Sequence, residues 1–188
     1  IVHKVFEEGL KNTALNITLK ESHLKEILSQ VDELLADAIA EEYKYGPSDR
    51  GENFLLIRSA RSTIKKILKR EILELNEDGC IITITGLEEQ LDATYTLKDG
   101  SKIKFFGMAD RVEKINGVTR VVDYKTGIAT QTELNLSDTK TADWDDADGK
   151  LSRGKAGKAL QLLVYCAMLL KRDQNLDAVN AAIRSGRN

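Results

Sequence analysis

Apolar residues recur at helical spacing through the first part of the chain. Residues 1–11, 22–44 and 52–76 each carry an apolar stripe, so we predict a helix for each segment. Turn-forming residues at 45–49 separate the second helix from the third, and Gly79 ends the third. The chain is therefore expected to begin with three helices.

The pattern changes after the third helix, where β-branched residues become frequent. Asp99-Gly100 and Asn116-Gly117 are hairpin turn signals between the segments that follow. The predicted strands are 81–85, 88–97 (continuing as one strand or a strand pair), 102–113 and 118–125. The sequence thus predicts an antiparallel meander close to three strands.

The last third of the chain is expected to hold a loop, a helix and a strand. Residues 128–157 are polar and lack periodicity, so we expect a flexible loop there. Residues 158–172 are apolar on nearly all sides, which predicts a buried helix. Residues 177–183 predict a final strand. The order of helices, strands, helix and strand indicates a mixed α/β fold.

Length, charge and cysteine content limit the kinds of protein and partner that are compatible with this fold. The 188 residues suit one domain, and the first residue is Ile1, so we expect a piece of a longer protein. A net charge of −2 means that any nucleic-acid binding must come from a local patch. Cys80 and Cys166 support neither a disulfide framework nor a four-cysteine iron–sulfur cluster. We expect a cytoplasmic protein without a membrane partner, because no apolar run approaches the length of a span.

Two carboxylates and a lysine lie on the predicted hairpin around Asn116-Gly117. Asp110 is on the first strand, and Asp123 and Lys125 are two residues apart on the second, so they face the same side. Mg²⁺ often uses one or two carboxylates together with a substrate phosphate, and the Tyr124 carbonyl could add a ligand. A solvated hairpin of alternating charges is the alternative interpretation. The apolar entry to Asp123 and the flanking glycines favour a site.

Four separated motifs resemble those of a known family. The segments Gly107-Met108-Ala109-Asp110-Arg111 and Asp123-Tyr124-Lys125-Thr126-Gly127, with His3 before them and Gln161 and Tyr165 after, are similar to the RecB-like branch of the PD-(D/E)XK nuclease superfamily. The resemblance implies an α/β (α+β) fold with a restriction-endonuclease-like αβββαβ core and extra N-terminal helices. We accordingly expect residues 1–188 to form a single nuclease domain with a helical insertion at 19–78.

The resemblance also implies roles for individual residues. It makes Lys125, Asp110 and Asp123 catalytic, and it makes His3, Asp110, Asp123 and the Tyr124 carbonyl metal ligands. The residues alone favour a packed or surface histidine at position 3. The supporting residues it implies are Glu88 (Glu89 being the alternative), Gln161 and Tyr165. By spacing alone, Tyr165 is equally well a core residue with Gln161 at its edge.

Basic residues supply candidate DNA contacts in two places. Four of them precede or open the helix at 158–172, where they could contact phosphates, although plain disorder explains that loop as well. The basic stripe on the third helix is more typical of a solvated face. The candidate DNA contacts are Arg111, Lys150, Arg153, Lys155 and Lys158.

The function implied is a deoxyribonuclease that uses Mg²⁺ or Mn²⁺, acting as an exonuclease rather than an endonuclease. Its expected partners are DNA and a helicase module, as in AddB/RecB-type helicase–nucleases of recombination and repair. No Walker motif and no iron–sulfur cluster are encoded in this chain. Three alternatives remain open: a stand-alone phage- or CRISPR-associated nuclease, an inactive DNA-binding or structural module, and a magnesium-dependent hydrolase of nucleotides.

Overall fold

One mixed sheet with helices on both faces organises the chain. The computed structural model describes residues 1–42, 50–134 and 157–187. The elements are α1 (Val2–Thr13), α2 (Glu21–Glu42), α3 (Gly51–Leu75), β1 (Ile82–Thr96), β2 (Lys102–Ile115), β3 (Val118–Lys125), α4 (Gln131–Leu134), α5 (Gly157–Arg172) and β4 (Val179–Ser185). This order confirms the expected mixed α/β fold with an αβββαβ core and extra helices after the first.

The sheet has the order β1-β2-β3-β4. The first three strands form the predicted antiparallel meander, and β4 pairs with β3 in parallel after the crossover through α5. The turn between β2 and β3 has positive φ at both Asn116 (49°) and Gly117 (86°), as a two-residue hairpin turn requires. The local turn chemistry therefore explains the register of the hairpin that carries Asp110 and Asp123.

Strand β1 is continuous, so the segments predicted at 81–85 and 88–97 form one strand. Its pairing with β2 shifts register between Ile84 and Gly86, and Glu88 has a φ of 44°. Glu88 lies between the pairs Leu87↔Arg111 and Glu89↔Ala109, which puts it opposite Asp110. The left-handed backbone at Glu88 is thus located beside one of the candidate site residues.

Two apolar clusters hold the layers together. On one face, α1, α2 and α3 pack over β1 and β3, and the Phe6 ring stacks on Tyr124 with centroids 4.1 Å apart. On the other face, α5 packs against β1, β2 and β3 through Tyr165, Met168 and Leu169. Helices α2 and α3, within the segment expected to be an insertion, contribute to the first cluster.

Helix α5 differs from its prediction. The pattern indicated burial on nearly all sides, but Leu160, Leu163 and Leu170 are exposed. The reason is that α5 covers one face of the sheet with its inner side, and within the described residues no further layer covers its outer side. The break predicted at 45–49 and most of the loop predicted at 128–157 lie outside the described residues. The part of that loop that is described includes the single helical turn α4.

Candidate functional site

The N-terminal helix brings an imidazole to the carboxylates of the sheet. His3, Glu88 and Asp110 each offer a ligand atom, and these atoms all lie within 4.8 Å of one another. His3 Nδ1 is 3.3 Å from Asp110 Oδ1, and His3 Nε2 is 2.9 Å from the Tyr124 carbonyl oxygen. Packing of α1 over the sheet, anchored by Phe6 on Tyr124, therefore delivers His3 to the point where β1, β2 and β3 meet.

Asp110 sits where β2 and β3 separate. The last backbone pair between these strands is Arg111↔Val122, and beyond it the Tyr124 N–H donates to Asp110 Oδ2 at 2.6 Å. A side chain thus replaces a backbone acceptor at the end of the ladder. The result is a buried carboxylate whose other oxygen, Oδ1, faces His3.

Asp123 and Lys125 face the same side, as their spacing predicts, and form an ion pair. Lys125 Nζ lies 2.9 Å from Oδ1 and 2.8 Å from Oδ2 of Asp123. Only the contact to Oδ1 has the geometry of a hydrogen bond, so the buried Oδ2 lacks a hydrogen-bond donor among the described residues. The Oδ2 atom of Asp123 is therefore held by the charge of Lys125 without a hydrogen bond.

Gln161 and Tyr165 continue the polar chain from Lys125. Lys125 Nζ donates to Gln161 Oε1 at 3.1 Å, and Gln161 Nε2 donates to the Tyr165 hydroxyl at 3.0 Å. Tyr165 lies against Gly107, where an added Cβ would be 2.8 Å from Tyr165 Cε1. Only glycine permits this close approach of β2 and α5, and the approach positions Gln161 over Lys125.

Two groups of the site have shifted pKa values. The hydrogen bond to Asp110 raises the pKa of His3, although partial burial opposes the effect. Burial raises the pKa of Asp123, and the Lys125 ammonium opposes that rise. The Asp110 carboxylate and the Tyr124 carbonyl therefore both stabilise the positive charge of a protonated His3 imidazole.

With this geometry in hand, the family can be assigned. A model of the PD-(D/E)XK nuclease superfamily matches residues 1–186. The chain belongs to the PD-(D/E)XK nuclease superfamily. No curated protein matches the chain.

Membership in this nuclease superfamily implies a DNA substrate and a divalent metal, and the donor set fits such an ion. Neighbouring ligands on an octahedral ion with Mg²⁺-like bond lengths are about 3 Å apart, close to the 3.3 Å between His3 Nδ1 and Asp110 Oδ1. The group offers one imidazole nitrogen and two carboxylates, and Asp123 Oδ2 is a buried oxygen without a hydrogen-bond donor in the described structure. Both observations are compatible with a divalent cation at this place.

The second carboxylate, Asp123, stands apart from the group of three. Among the described residues, the ligand atoms within 4.8 Å of one another are those of His3, Glu88 and Asp110. Asp123 is close enough to Asp110 and His3 to affect its own pKa, but its carboxylate is held by Lys125. Of the two candidate glutamates on β1, Glu88 joins the group, whereas Glu89 pairs with Arg172 at 2.6 Å.

The structure places the candidate DNA contacts in different environments. Arg111 is fully buried, so the expectation that it contacts DNA is corrected: it lies between α3 and the sheet, away from any surface. Lys158 donates to Glu133 and to the Ile128 carbonyl. Lys150, Arg153 and Lys155 lie outside the described residues. On the third helix, Arg61 and Lys65 pair with Asp32 of α2, in keeping with a solvated face.

A buried ionic network behind the site was not predicted. Arg111 bonds both carboxylate oxygens of Glu71 at 3.0 Å, donates to the Tyr124 hydroxyl at 3.0 Å and pairs with Glu113. Burial opposes the charge of Arg111, but Glu113 and Glu71 raise its pKa well above the usual value. One signal was present in the sequence: Glu71 falls on the apolar stripe of α3 with Ile64, Ile67 and Leu68.

No helix in the described part of the chain is long and apolar enough to cross a membrane. Cys80 and Cys166 are both unbridged thiols.

Proposed function

We propose that this nuclease domain is an exodeoxyribonuclease of RecB-like type that uses Mg²⁺ or Mn²⁺. One observation carries the proposal: the Lys125 ammonium contacts both Asp123 and Gln161, which joins two of the four motifs at one point. The contacts of Asp110 with His3 and with the Tyr124 N–H support it by bringing the other two motifs to the same hairpin. An ordered set of four motifs that meet in space is far more specific than a lone Asp-x-Lys.

In this proposal the residues divide the work. His3, Asp110, Asp123 and the Tyr124 carbonyl hold the cation, with Glu88 beside them. When bound, the cation would lower the pKa of a water ligand and neutralise phosphate charge. Lys125 places its positive charge where negative charge develops on the phosphate oxygens and the attacking water. Gln161 and Tyr165 hold the ammonium in that position.

The test is cleavage of end-labelled linear DNA, single- and double-stranded, with Mg²⁺, with Mn²⁺ and with EDTA. We expect metal-dependent release of short products from an end, which identifies an exonuclease. Lys125→Ala should reduce the rate by about a hundredfold or more. Lys114→Ala, which removes an exposed lysine from the neighbouring strand, is the matched control and should cleave as wild type does. Intact DNA under all metal conditions would refute the activity.

The setting of the nuclease is a further part of the proposal. We expect it to work beside a helicase motor on DNA during recombination or repair in the cytoplasm, and the RecB-like motifs support this. The stand-alone nuclease is the runner-up. The parent gene separates the two, since a motor-linked nuclease has helicase motifs in the same chain or in a neighbouring subunit.

A further inference from the structure

One face of the distal half of the β1–β2 hairpin is not covered by any of the residues that the structure describes. Strand β2 has 14 residues and β3 has 8, so the outer part of β2 extends past its pairing with β3. On the side towards α5, Leu91, Ala93 and Ala109 are buried. The residues on the opposite side are exposed, and we call them the open face: Gln90, Asp92, Thr94 and Thr96 of β1, and Lys102, Lys104, Phe106 and Met108 of β2.

This face leads directly to the candidate metal ligands. Side chains two residues apart share a face of a strand, so Asp110 follows Met108 and Phe106 in the same row. Across the hairpin, Gln90 pairs with Met108 and Asp92 pairs with Phe106, while Glu88 lies opposite Asp110. By strand geometry Met108 is about 7 Å and Phe106 about 13 Å along β2 from Asp110. A polymer bound at Asp110 can therefore continue along the row.

The chemistry of the row suits an unpaired nucleic-acid strand. The Phe106 side chain stands 82% exposed, and Met108 is 44% exposed. An aromatic ring presented in this way can stack on a base whose face is free, as in a single strand. Beyond the ring, Lys104 and Lys102 offer positive charge to phosphates, with Lys104 held only loosely by Asp92 at 3.9 Å.

A protein partner fits this face less well. Interaction patches for proteins are contiguous apolar areas of several hundred Å². Here Phe106 and Met108 are bordered by the polar side chains of Gln90, Asp92 and Lys104. These five residues, with Leu91 and Gly107, line an open groove of about 610 Å³. One exposed ring beside polar and basic groups suits a strand of bases and phosphates better than an apolar protein surface.

We infer that the open face binds the single strand of DNA next to the scissile phosphate, with a base stacked on Phe106. The inference rests on the proposed nuclease function, because it takes Asp110 as the position of the scissile phosphate. It assigns a DNA-binding role to the open face, which holds none of the candidate DNA contacts expected from the sequence. Phe106 is a binding residue and takes no part in the chemical step.

The test is binding of a fluorescein-labelled oligothymidine in EDTA, which separates binding from cleavage. Phe106→Ala should weaken affinity about tenfold, whereas Phe106→Trp, which keeps the stacking surface, should bind as wild type does. Leu73→Ala removes a similarly exposed apolar side chain (68%) from α3 and serves as the control, with no change expected. Lys104→Gln should lower the slope of log affinity against log salt by about one.

A positional readout completes the test. With 2-aminopurine placed at successive positions, one position should be quenched by wild type and lose that quenching in Phe106→Ala. Wild-type affinity of Phe106→Ala, or no binding of single strands by wild type, overturns the inference. If wild type cleaves and Phe106→Ala binds normally, the inference alone fails. If Phe106→Ala loses binding and wild type never cleaves, the proposed function alone fails.

Discussion

The Tyr124 N–H donates to Asp110 Oδ2 at 2.6 Å, so a backbone group of β3 holds a candidate metal ligand of β2. The same residue accepts a hydrogen bond from His3 at its carbonyl oxygen and stacks its ring on Phe6. One residue of the Asp-x-Lys motif, at the variable position, thus orients both the carboxylate and the imidazole. The two ligands are connected through the backbone before any cation binds.

This relationship separates two substitutions of Asp110. Asp110→Asn keeps an oxygen that can accept from the Tyr124 N–H but loses the charge that a cation needs. Asp110→Ala loses both and leaves a buried N–H without its acceptor, which costs about 1–3 kcal/mol. We therefore expect Asp110→Asn to melt near wild type in EDTA and Asp110→Ala to melt several degrees lower.

Thermal melting with and without Mn²⁺ measures both effects. Wild type should melt at a higher temperature when Mn²⁺ is added, and neither variant should respond. Asp92→Asn, which changes an exposed carboxylate of the open face, is the control and should respond as wild type does. An undiminished Mn²⁺ response in Asp110→Asn would remove Asp110 from the ligand set.

Gln161 is expected to act by holding Lys125. Gln161→Ala removes the acceptor at 3.1 Å from Lys125 Nζ and leaves the ion pair with Asp123 as the remaining contact of the ammonium within the described residues. A displaced catalytic charge slows the chemical step, so we expect kcat to fall about ten- to a hundredfold with little change in KM. Steady-state cleavage of a labelled single strand separates the two constants.

Tyr165→Phe gives a graded version of the same experiment. It removes the hydroxyl that accepts from Gln161 Nε2 but keeps the ring that packs on Gly107. Its kcat should lie between those of wild type and Gln161→Ala. If KM rises in both variants as much as kcat falls, or if KM alone changes, Gln161 and Tyr165 contribute to DNA binding instead.

Local signals in the sequence predicted the hairpin that carries the candidate site. The turn at Asn116-Gly117 needs two positive φ angles, which these residues adopt readily, and it fixes which residues of β2 and β3 are neighbours. Strand β3 accordingly has its predicted bounds, 118–125. The close approach at Gly107 was also readable, because a missing side chain in a strand indicates that something packs there.

The features that depend on contacts between distant parts of the chain could not be predicted from local sequence signals. Nothing in the periodicity of α1 says that His3 meets Asp110, which lies 107 positions further along the chain, and only the resemblance suggested it. The DNA contact expected at Arg111 was wrong because the side chain is buried, where it pairs with Glu71 and Glu113 from α3 and β2. The exposed side of α5 was missed because apolar composition does not reveal how many layers surround a helix.

The buried position of Arg111 predicts a stability defect instead of a binding defect. Arg111→Met removes the cation that lies between two buried carboxylates and leaves Glu113 to Arg120 and Glu71 to Arg184, which should cost up to about 3–5 kcal/mol of unfolding free energy. Urea unfolding followed by circular dichroism measures this. Arg58→Met, at an exposed arginine of α3, should unfold as wild type does.

A second substitution tests the origin of that defect. Adding Glu71→Leu to Arg111→Met removes one of the buried carboxylates that has lost its Arg111 partner. The double variant should therefore be more stable than Arg111→Met alone. If Arg111→Met instead folds with wild-type stability and only loses affinity for DNA, the buried network is not what this residue serves.

Glu74 should make stability depend on pH. Burial opposes its ionisation, but the charges of Arg184 and Arg120 outweigh burial and hold the pKa of Glu74 below its usual 4.5. The carboxylate therefore stabilises the folded state fully above pH 4.5, and this contribution is lost as the pH falls through the lowered pKa of the folded protein.

Glu74→Gln, which cannot ionise, lacks the contribution at every pH. At about pH 7 the variant should be less stable by about 1–2 kcal/mol, and near pH 3 the gap should narrow. Urea unfolding at the two pH values measures the gap, with the exposed Glu77→Gln as control. A gap that stays constant or widens in acid would mean that the Glu74 charge is not what links α3 to β3 and β4.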